Sequence, residues 1–297
     1  MNRHMWSTQC KNSLVTQSSS PATLRVRKYD GTRNQQTLPK LRIIPRLEIK
    51  GVNTVKGIRM EGLRKVGSPE QLTQRYFDQG ADELVLVDIV ASLYGRNNLQ
   101  SLVEAASANI HVPLVVGGGV RSLEDFRQLL RSGADKISLN TQALTTPEII
   151  SQAADVFGAQ CVVVSIQAKR QSHGEWEAYC ENGREPSGKN VVEWAKEVVS
   201  RGAGEVLLTS VDQDGTRKGL DLDLVSALVD AVSVPVIAGS GIGSIDDVVK
   251  ASRLGVTGVA IAHMLHFNRF TIPELKDELI RRGVDVRPLP VGTNDAG

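Results

Sequence analysis

The 297-residue sequence predicts an α/β protein, a (β/α)8 TIM barrel built from two duplicated half-barrels. Two observations carry this prediction. Short β-branched segments alternate with amphipathic segments along most of the chain, and the second half of that alternation repeats the first at a nearly constant spacing. Alternation of this kind is typical of parallel strands joined by helices.

The alternation begins at residue 42. Strands are predicted over residues 42–48, 84–88, 113–117, 136–140, 161–167, 205–210, 235–239 and 257–262. Helices are predicted near residues 69–79, 99–109, 122–132, 147–157, 189–201, 221–231, 244–254 and 272–282. Eight strands and eight helices are the number that closes a barrel, and about 250 residues is the usual length of one.

The repeat distinguishes a duplicated barrel from an open parallel sheet. Residues 112–122 align with residues 234–244, so that Pro113 matches Pro235 at an offset of 122. Gly133 and Gly255 have the same offset, and residues 44–50 match residues 163–169 at an offset of 119. Strands one to four and five to eight are therefore predicted to be equivalent halves, with equivalent sites facing each other across the barrel axis.

Composition excludes several classes of protein. A hydrophobic content of 41% and a charged content of 23% are those of an ordinary soluble enzyme. No apolar run approaches the roughly 20 residues of a membrane span. The three scattered cysteines lack C-x-x-C spacing, which favours reduced thiols and a cytoplasmic location. Residues 41–297 carry a net charge of −4, which disfavours nucleic-acid binding.

Three regions are predicted along the chain. Residues 1–40 hold seven Lys or Arg against one acid, are rich in Ser, Thr, Gln and Asn, and show no sustained periodicity. They are predicted to be a disordered N-terminal extension, although an Arg-rich, acid-poor segment is also typical of an organellar transit peptide. Residues 41–290 are predicted to form the barrel and residues 291–297 a flexible tail.

Glycine clusters follow the third and seventh predicted strands, at residues 117–119 and 239–243. Glycine lets the backbone approach an anion, and the following helix N-terminus offers free N–H groups and a positive dipole end. A lone cluster is also compatible with a simple tight turn. Two related clusters predict a substrate with phosphates at both ends, which Asn140, Thr141 and His263 would help to bind. His263 and His266 have no third ligand in view, so no metal site is predicted.

Glu48 and Gln167 occupy equivalent positions at the ends of the first and fifth strands. Two ionisable groups there would make a general acid–base pair, but only Glu48 can titrate. Lys56 and Asp214 lie on nearby loops at the same end of the predicted barrel.

With these residues in view, residues 42–287 resemble the cyclase subunit of imidazole glycerol phosphate synthase, the HisF family. The resemblance covers every predicted strand. Its motifs are VKG at 55–57, DIVAS at 88–92, GADKISLNT at 133–141, LLTSVD at 207–212, DQDGT at 212–216 and TIPELK at 271–276.

The resemblance implies a lyase of histidine biosynthesis without a cofactor. Such a subunit takes ammonia from a glutaminase subunit, with which it forms a heterodimer, and passes the ammonia through the barrel. It adds the ammonia to a bisphosphorylated phosphoribulosyl formimino aminoimidazole carboxamide ribonucleotide. The products are imidazole glycerol phosphate and the aminoimidazole carboxamide ribotide.

The resemblance also implies roles for individual residues. The catalytic positions are Glu48, Gln167 and Lys56. The phosphate- and substrate-binding positions are Gly118, Gly119, Asn140, Thr141, Thr209, Asp214, Gly215, Gly241 and His263. The ammonia gate and glutaminase interface are Arg42, Glu83, Lys136, Glu205 and Asp135.

Four departures from the family pattern leave two functions open. Glu48 and Gln167 stand where the family has its two catalytic aspartates, and Arg46 and His263 stand where it usually has cysteine and serine. Arg46 is expected to point into the barrel and either pair with Glu48 or Glu83 or narrow the ammonia path. The chain is predicted to be a cyclase. The alternative is a non-cyclising paralogue that activates a glutaminase and channels ammonia to another amidotransferase, for example in surface-glycan synthesis.

Overall fold

A computed structural model describes residues 40–91 and 99–289. In this part of the chain the strands are β1 (Arg42–Lys50), β2 (Asn53–Ile58), β3 (Glu61–Gly67), β4 (Leu84–Asp88), β5 (Leu114–Gly117), β6 (Lys136–Leu139), β7 (Val162–Arg170), β8 (Trp176–Cys180), β9 (Glu185–Asn190), β10 (Glu205–Ser210), β11 (Val236–Gly239) and β12 (Gly258–Ile261). Eight of them pair in parallel in the order β1-β4-β5-β6-β7-β10-β11-β12, and β12 returns to β1. The predicted (β/α)8 barrel is confirmed.

The helices of the described part are α1 (Pro69–Asp78), α2 (Gln100–Ser107), α3 (Leu123–Arg131), α4 (Thr141–Thr145), α5 (Glu148–Phe157), α6 (Val191–Ser200), α7 (Leu222–Ala231), α8 (Ile245–Arg253), α9 (His263–His266) and α10 (Ile272–Arg281). The helix predicted from residue 189 begins at Val191 instead. Lys189 and Asn190 end β9, and the Asn190 side chain caps α6 by accepting from the N–H groups of Val192 and Glu193.

The two halves of the barrel have the same strand register. Val85 of β4 pairs with Val115 of β5, and Leu207 of β10 pairs with Ile237 of β11, which preserves the offset of 122. The remaining parallel pairs, including both junctions between the halves, are equivalent in the same way, with an offset of 122 except between β1 and β7, which are related by 119. The duplication seen in the sequence is therefore present in the backbone.

Two hairpins that the sequence did not predict extend from the barrel mouth. β2 and β3 follow β1, and β8 and β9 follow β7, so each hairpin continues an equivalent strand in an antiparallel direction. β3 and β9 are short, largely exposed and poor in apolar side chains. They join the sheet through backbone pairing, which leaves no hydrophobic alternation to recognise.

Inward-facing side chains fill the barrel in layers, as expected for this fold. Charged residues from the strand starts form the floor. An apolar layer lies above them, made of Ile44, Val85, Val115, Val163, Leu207, Ile237 and Ala260. Outward-facing residues of the same strands pack against the helices in a separate and larger core.

The predicted tail at residues 291–297 and the predicted extension at residues 1–40, apart from Lys40, lie outside the described residues. Within the described ranges, no helix is both long and apolar enough to cross a membrane.

Candidate active site

The turns after β5 and β11 have the same backbone shape. Gly118 and Gly119 take φ values of 103° and 72°, and their counterparts Ser240 and Gly241 take 82° and 83°. A Cβ atom at Gly118 would lie 2.2 Å from the carbonyl oxygen of Asp88. The two predicted glycine clusters are thus equivalent left-handed turns that bring backbone close to the barrel mouth. We call the turn at Gly118–Gly119 the first grip and the turn at Ser240–Gly241 the second grip.

Each grip leads into a helix held by the same capping box. Ser122 and Asp125 begin α3, where the Ser122 N–H donates to the Asp125 carboxylate at 3.0 Å and the Asp125 N–H donates back to the Ser122 hydroxyl at 3.2 Å. Ser244 and Asp247 form the equivalent box at α8. The boxes fix both helix N-termini, whose positive dipole ends favour anions.

Two short helices, α4 and α9, complete the grips after β6 and β12. They begin at the equivalent residues Thr141 and His263. A short extra helix at this place is a frequent part of phosphate sites in barrels. The Asn140 amide donates to the carbonyl oxygens of Ser165 and Tyr179 at 3.0 and 3.1 Å, and Thr141 Oγ1 accepts the Glu181 N–H. Asn140 and Thr141, which are predicted to bind phosphate, therefore also hold the β8–β9 hairpin beside the first grip.

The mouth contains two cavities, one beside each grip. The first cavity is lined by the predicted residues Gly118, Gly119, Asn140, Thr141 and Gln167. The second cavity is lined by the predicted residues Glu48, Lys56, Asp214, Gly215, Gly241 and His263. Arg46 lines both cavities and stands between them.

The second cavity also contains Arg217, which the sequence reading missed. Arg217 has a φ of 61° in the loop after β10, and no periodic pattern marks such a position. Burial lowers the pKa of His263, and the charges of Arg217 and Lys56 lower it further. The cavity also holds the carboxylates Glu48 and Asp214, so Arg217 and the neutral imidazole are the groups beside the second grip that suit an anionic ligand.

Lys56 reaches the mouth from β2 and lies between two carboxylates. Its Nζ atom is 3.0 Å from each carboxylate oxygen of Glu48 and 2.9 and 2.7 Å from those of Asp214. Burial opposes the charge of Lys56, but the two carboxylates outweigh burial and raise its pKa. Burial likewise opposes ionisation of Glu48, but Lys56 and Arg46 outweigh it and lower its pKa. Glu48 is thus a carboxylate and Lys56 an ammonium.

Arg46 crosses the barrel just below Glu48. Its Nη1 donates to Thr209 Oγ1 at 2.7 Å, and its Nη2 lies 3.5 Å from Glu48 Oε1. The structure thus selects Glu48, not Glu83, as the ion-pair partner of Arg46. Thr209, predicted to bind substrate, contacts Arg46 inside the barrel.

Four charged residues, Arg42, Glu83, Lys136 and Glu205, form a closed floor ring. Lys136 Nζ lies 3.1 Å from Glu83 and 2.8 Å from Glu205, and Arg42 bridges the same two carboxylates from the other side. Burial would lower the pKa of Arg42, but the two glutamates outweigh burial and raise it. Asp135 is exposed beside the ring, and its carboxylate accepts the Leu114 N–H at 2.8 Å.

His266 does not join His263 in a polar site. Its Nδ1 lies 2.7 Å from the Tyr76 hydroxyl, and burial, with the charges of Lys56 and Arg75, lowers its pKa to about 3. Within the described residues, no group of three His, Cys, Asp or Glu is arranged to hold a metal ion. His266 is therefore a neutral core residue.

Comparison with known proteins agrees with this geometry. A family model described as "Histidine biosynthesis protein" matches residues 42–271. The imidazole glycerol phosphate synthase subunit HisF of Gluconacetobacter diazotrophicus is 46% identical over 251 residues, which cover 84% of this chain and 97% of the relative. The chain belongs to the HisF family.

Two further HisF relatives align with this chain over nearly the whole length of each relative. The subunit from Legionella pneumophila is 52% identical over 210 residues, which are 71% of this chain and 99% of the relative. The subunit from Synechococcus sp. (strain CC9605) is 46% identical over 253 residues, which are 84% and 99% of the two chains. The match to the histidine biosynthesis family model spans all eight barrel strands and both grips.

Proposed function

We propose that this chain is the cyclase subunit of an imidazole glycerol phosphate synthase in histidine biosynthesis. It would use ammonia to convert the phosphoribulosyl formimino aminoimidazole carboxamide ribonucleotide to imidazole glycerol phosphate and the aminoimidazole carboxamide ribotide. The observation that carries this proposal is the pair of equivalent left-handed turns at Gly118 and Ser240, each beside a cavity of the barrel mouth, with the Glu48 carboxylate in the second cavity. A substrate with a phosphate at each end fits that arrangement.

With its phosphates held by the grips, the substrate would place its reacting atoms beside Glu48. The Glu48 carboxylate can accept a proton from the nitrogen that ammonia contributes and return it during ring closure. Lys56 stays protonated, so we assign it to orienting Glu48 and Asp214 instead of removing protons. Gln167 would contribute hydrogen bonds on the opposite side, because its amide cannot titrate.

Ammonia would enter through the floor ring from a glutaminase subunit bound to that face. The apolar layer above the ring would admit neutral ammonia more readily than ammonium, because an unpaired charge is costly to bury. Arg46 would be the last side chain that ammonia passes before Glu48. The exposed Asp135 beside the ring would contact the glutaminase.

The test is an assay without glutaminase. The purified chain is given the bisphosphorylated precursor and an ammonium salt at alkaline pH, and loss of the precursor's absorbance is followed. We expect turnover in the unaltered chain and a loss of about a hundredfold or more in Glu48→Gln, the size of effect typical for a general acid or base. The matched control is Glu193→Gln on α6, whose side chain is 70% exposed.

Precursor that binds without turning over would contradict the proposal. That result would instead favour the alternative role, in which the chain activates a glutaminase and supplies ammonia to another amidotransferase.

A further inference from the structure

Two buried polar atoms in the first cavity lack partners. Arg46 and Gln167 are residues only 4% and 6% exposed, and both line this cavity. Among the described residues, neither Arg46 Nε nor Gln167 Oε1 has a hydrogen-bond partner. Buried polar groups are nearly always paired, because leaving one unpaired costs free energy. One of these atoms is a donor and the other an acceptor.

The rest of the Arg46 guanidinium is already held in place. Nη1 donates to Thr209 and Nη2 lies beside Glu48, so two contacts fix the plane of the group and the direction of its Nε–H. The residue equivalent to Arg46 in the other half is Ser165, whose small side chain also lines the first cavity. Because Ser165 is small, the centre of the mouth has room for a ligand group beside Arg46.

We propose that Arg46 Nε and Gln167 Oε1 together bind a planar, neutral group of the substrate that accepts one hydrogen bond and donates another. A primary carboxamide has this chemistry. A carboxylate of the same shape has acceptors but no donor, so it would leave Gln167 Oε1 unpaired or force the amide to turn over. Its charge would also lie near the Glu48 carboxylate, which already partners Arg46. This inference rests on the proposed function, because the proposed substrate carries a carboxamide between its two phosphates, and one product keeps that carboxamide.

Arg46 is then a specificity-determining residue that distinguishes a carboxamide from a carboxylate. A site built to hydrogen-bond a ligand group rejects a ligand that leaves its buried polar atoms unpaired. Thr209 and Glu48 keep the Arg46 guanidinium in position. Gln167 Oε1 accepts the hydrogen bond that the ligand donates.

The experiment is direct binding by calorimetry, which needs no turnover. The probes are the aminoimidazole carboxamide ribotide and its counterpart with a carboxylate in place of the carboxamide. We expect the unaltered chain to bind the carboxamide on the order of tenfold to a hundredfold more tightly. Arg46→Lys keeps the positive charge but has no Nε donor, and should reduce that ratio to about threefold or less.

A second variant is expected to reverse the ligand preference at Gln167. Gln167→Lys replaces the acceptor with donors, and we expect it to bind the carboxylate more tightly than the carboxamide. Lys50→Gln, at the exposed end of β1, is the control and should keep the ratio of the unaltered chain. Thermal unfolding of each variant establishes that it is folded.

Equal affinities for the two probes in the unaltered chain would overturn the inference. An unchanged ratio in folded Arg46→Lys would also overturn it. The two proposals fail separately: a chain that shows the ratio but no ammonium-dependent turnover loses the proposed cyclase function and keeps the carboxamide site. A chain that turns over the precursor but binds the two probes with equal affinity contradicts only the carboxamide site.

Discussion

Glu48 and Gln167 occupy the same register position in the two halves of the barrel. Glu48 lies opposite Val87 on the neighbouring strand, and Gln167 lies opposite Thr209, which is 122 residues beyond Val87. The backbone therefore presents the two side chains in equivalent ways at the mouth. Their difference is chemical: one carries a carboxylate held by Lys56, and the other an amide with an unpaired oxygen among the described residues.

Placing a carboxylate at residue 167, the position equivalent to Glu48, should speed the reaction. We expect Gln167→Asp to raise ammonium-dependent kcat by about a hundredfold, the lower end of what a positioned acid or base contributes. Gln167→Asn is the matched control because it shortens the side chain equally without adding a titratable group. An aspartate variant no faster than the asparagine variant would show that the second carboxylate is not what limits the rate.

Opening the floor ring should affect glutamine-driven turnover selectively. In Lys136→Met the carboxylates of Glu83 and Glu205 keep Arg42 but lose their second cation. With a glutaminase subunit added, we expect glutamine-dependent turnover to change by about fivefold or more, the scale of a typical coupling free energy. Turnover with ammonium salt should stay within about twofold.

The control for this prediction is Lys196→Met, which breaks an exposed ion pair with Glu193 on α6, away from the floor ring. Equal changes in glutamine- and ammonium-dependent turnover of Lys136→Met would argue against a gating role for the ring.

Buried His266 should make the protein less stable in mild acid. Its pKa is about 3 in the folded chain, whereas the unfolded chain takes up this proton below pH 6.5. Lowering the pH from 6 to 4 therefore favours unfolding, by up to about 1.4 kcal/mol per pH unit from this residue. His266→Asn, which does not titrate, should show a correspondingly shallower loss in urea unfolding at pH 6, 5 and 4. If the free energy of unfolding fell equally with pH in both proteins, His266 would not be the residue responsible.

Exchanging serine and glycine between the grips should have unequal effects. Ser240→Gly relieves a left-handed conformation but adds the entropy cost of glycine and removes the Ser240 hydroxyl's hydrogen bond to Asp214, so it should change the stability by less than about 1 kcal/mol. Gly118→Ser should cost about 3 kcal/mol, because it adds that strain and places Cβ 2.2 Å from the Asp88 carbonyl oxygen. Urea unfolding measures both changes, and similar values for the two variants would contradict the geometry.

Most of the fold was predictable because barrel strands and helices carry strong hydrophobic patterns and occur twice. The hairpins were not, since segments such as Glu185–Asn190 pair through backbone and have little apolar character. The short helices α4 and α9 were missed because one turn is too short to show a period.

At the site, the sequence located the grips and the central positions but not the contacts between them. Lys56 and Asp214 are 158 residues apart, and only the closed barrel brings them within 2.7 Å. The inward direction of Arg46 followed from strand alternation, whereas its choice of Glu48 and Thr209 depends on the neighbouring strands. Arg217 lies on an irregular loop, where no pattern indicates its direction.

The matched registers give this protein a scaffold that is specified twice. A side chain at the mouth can therefore change independently in each half without a new backbone. Arg46 opposite Ser165, and Glu48 opposite Gln167, are changes of this kind. A symmetric framework thereby carries a mouth with two chemically distinct sides.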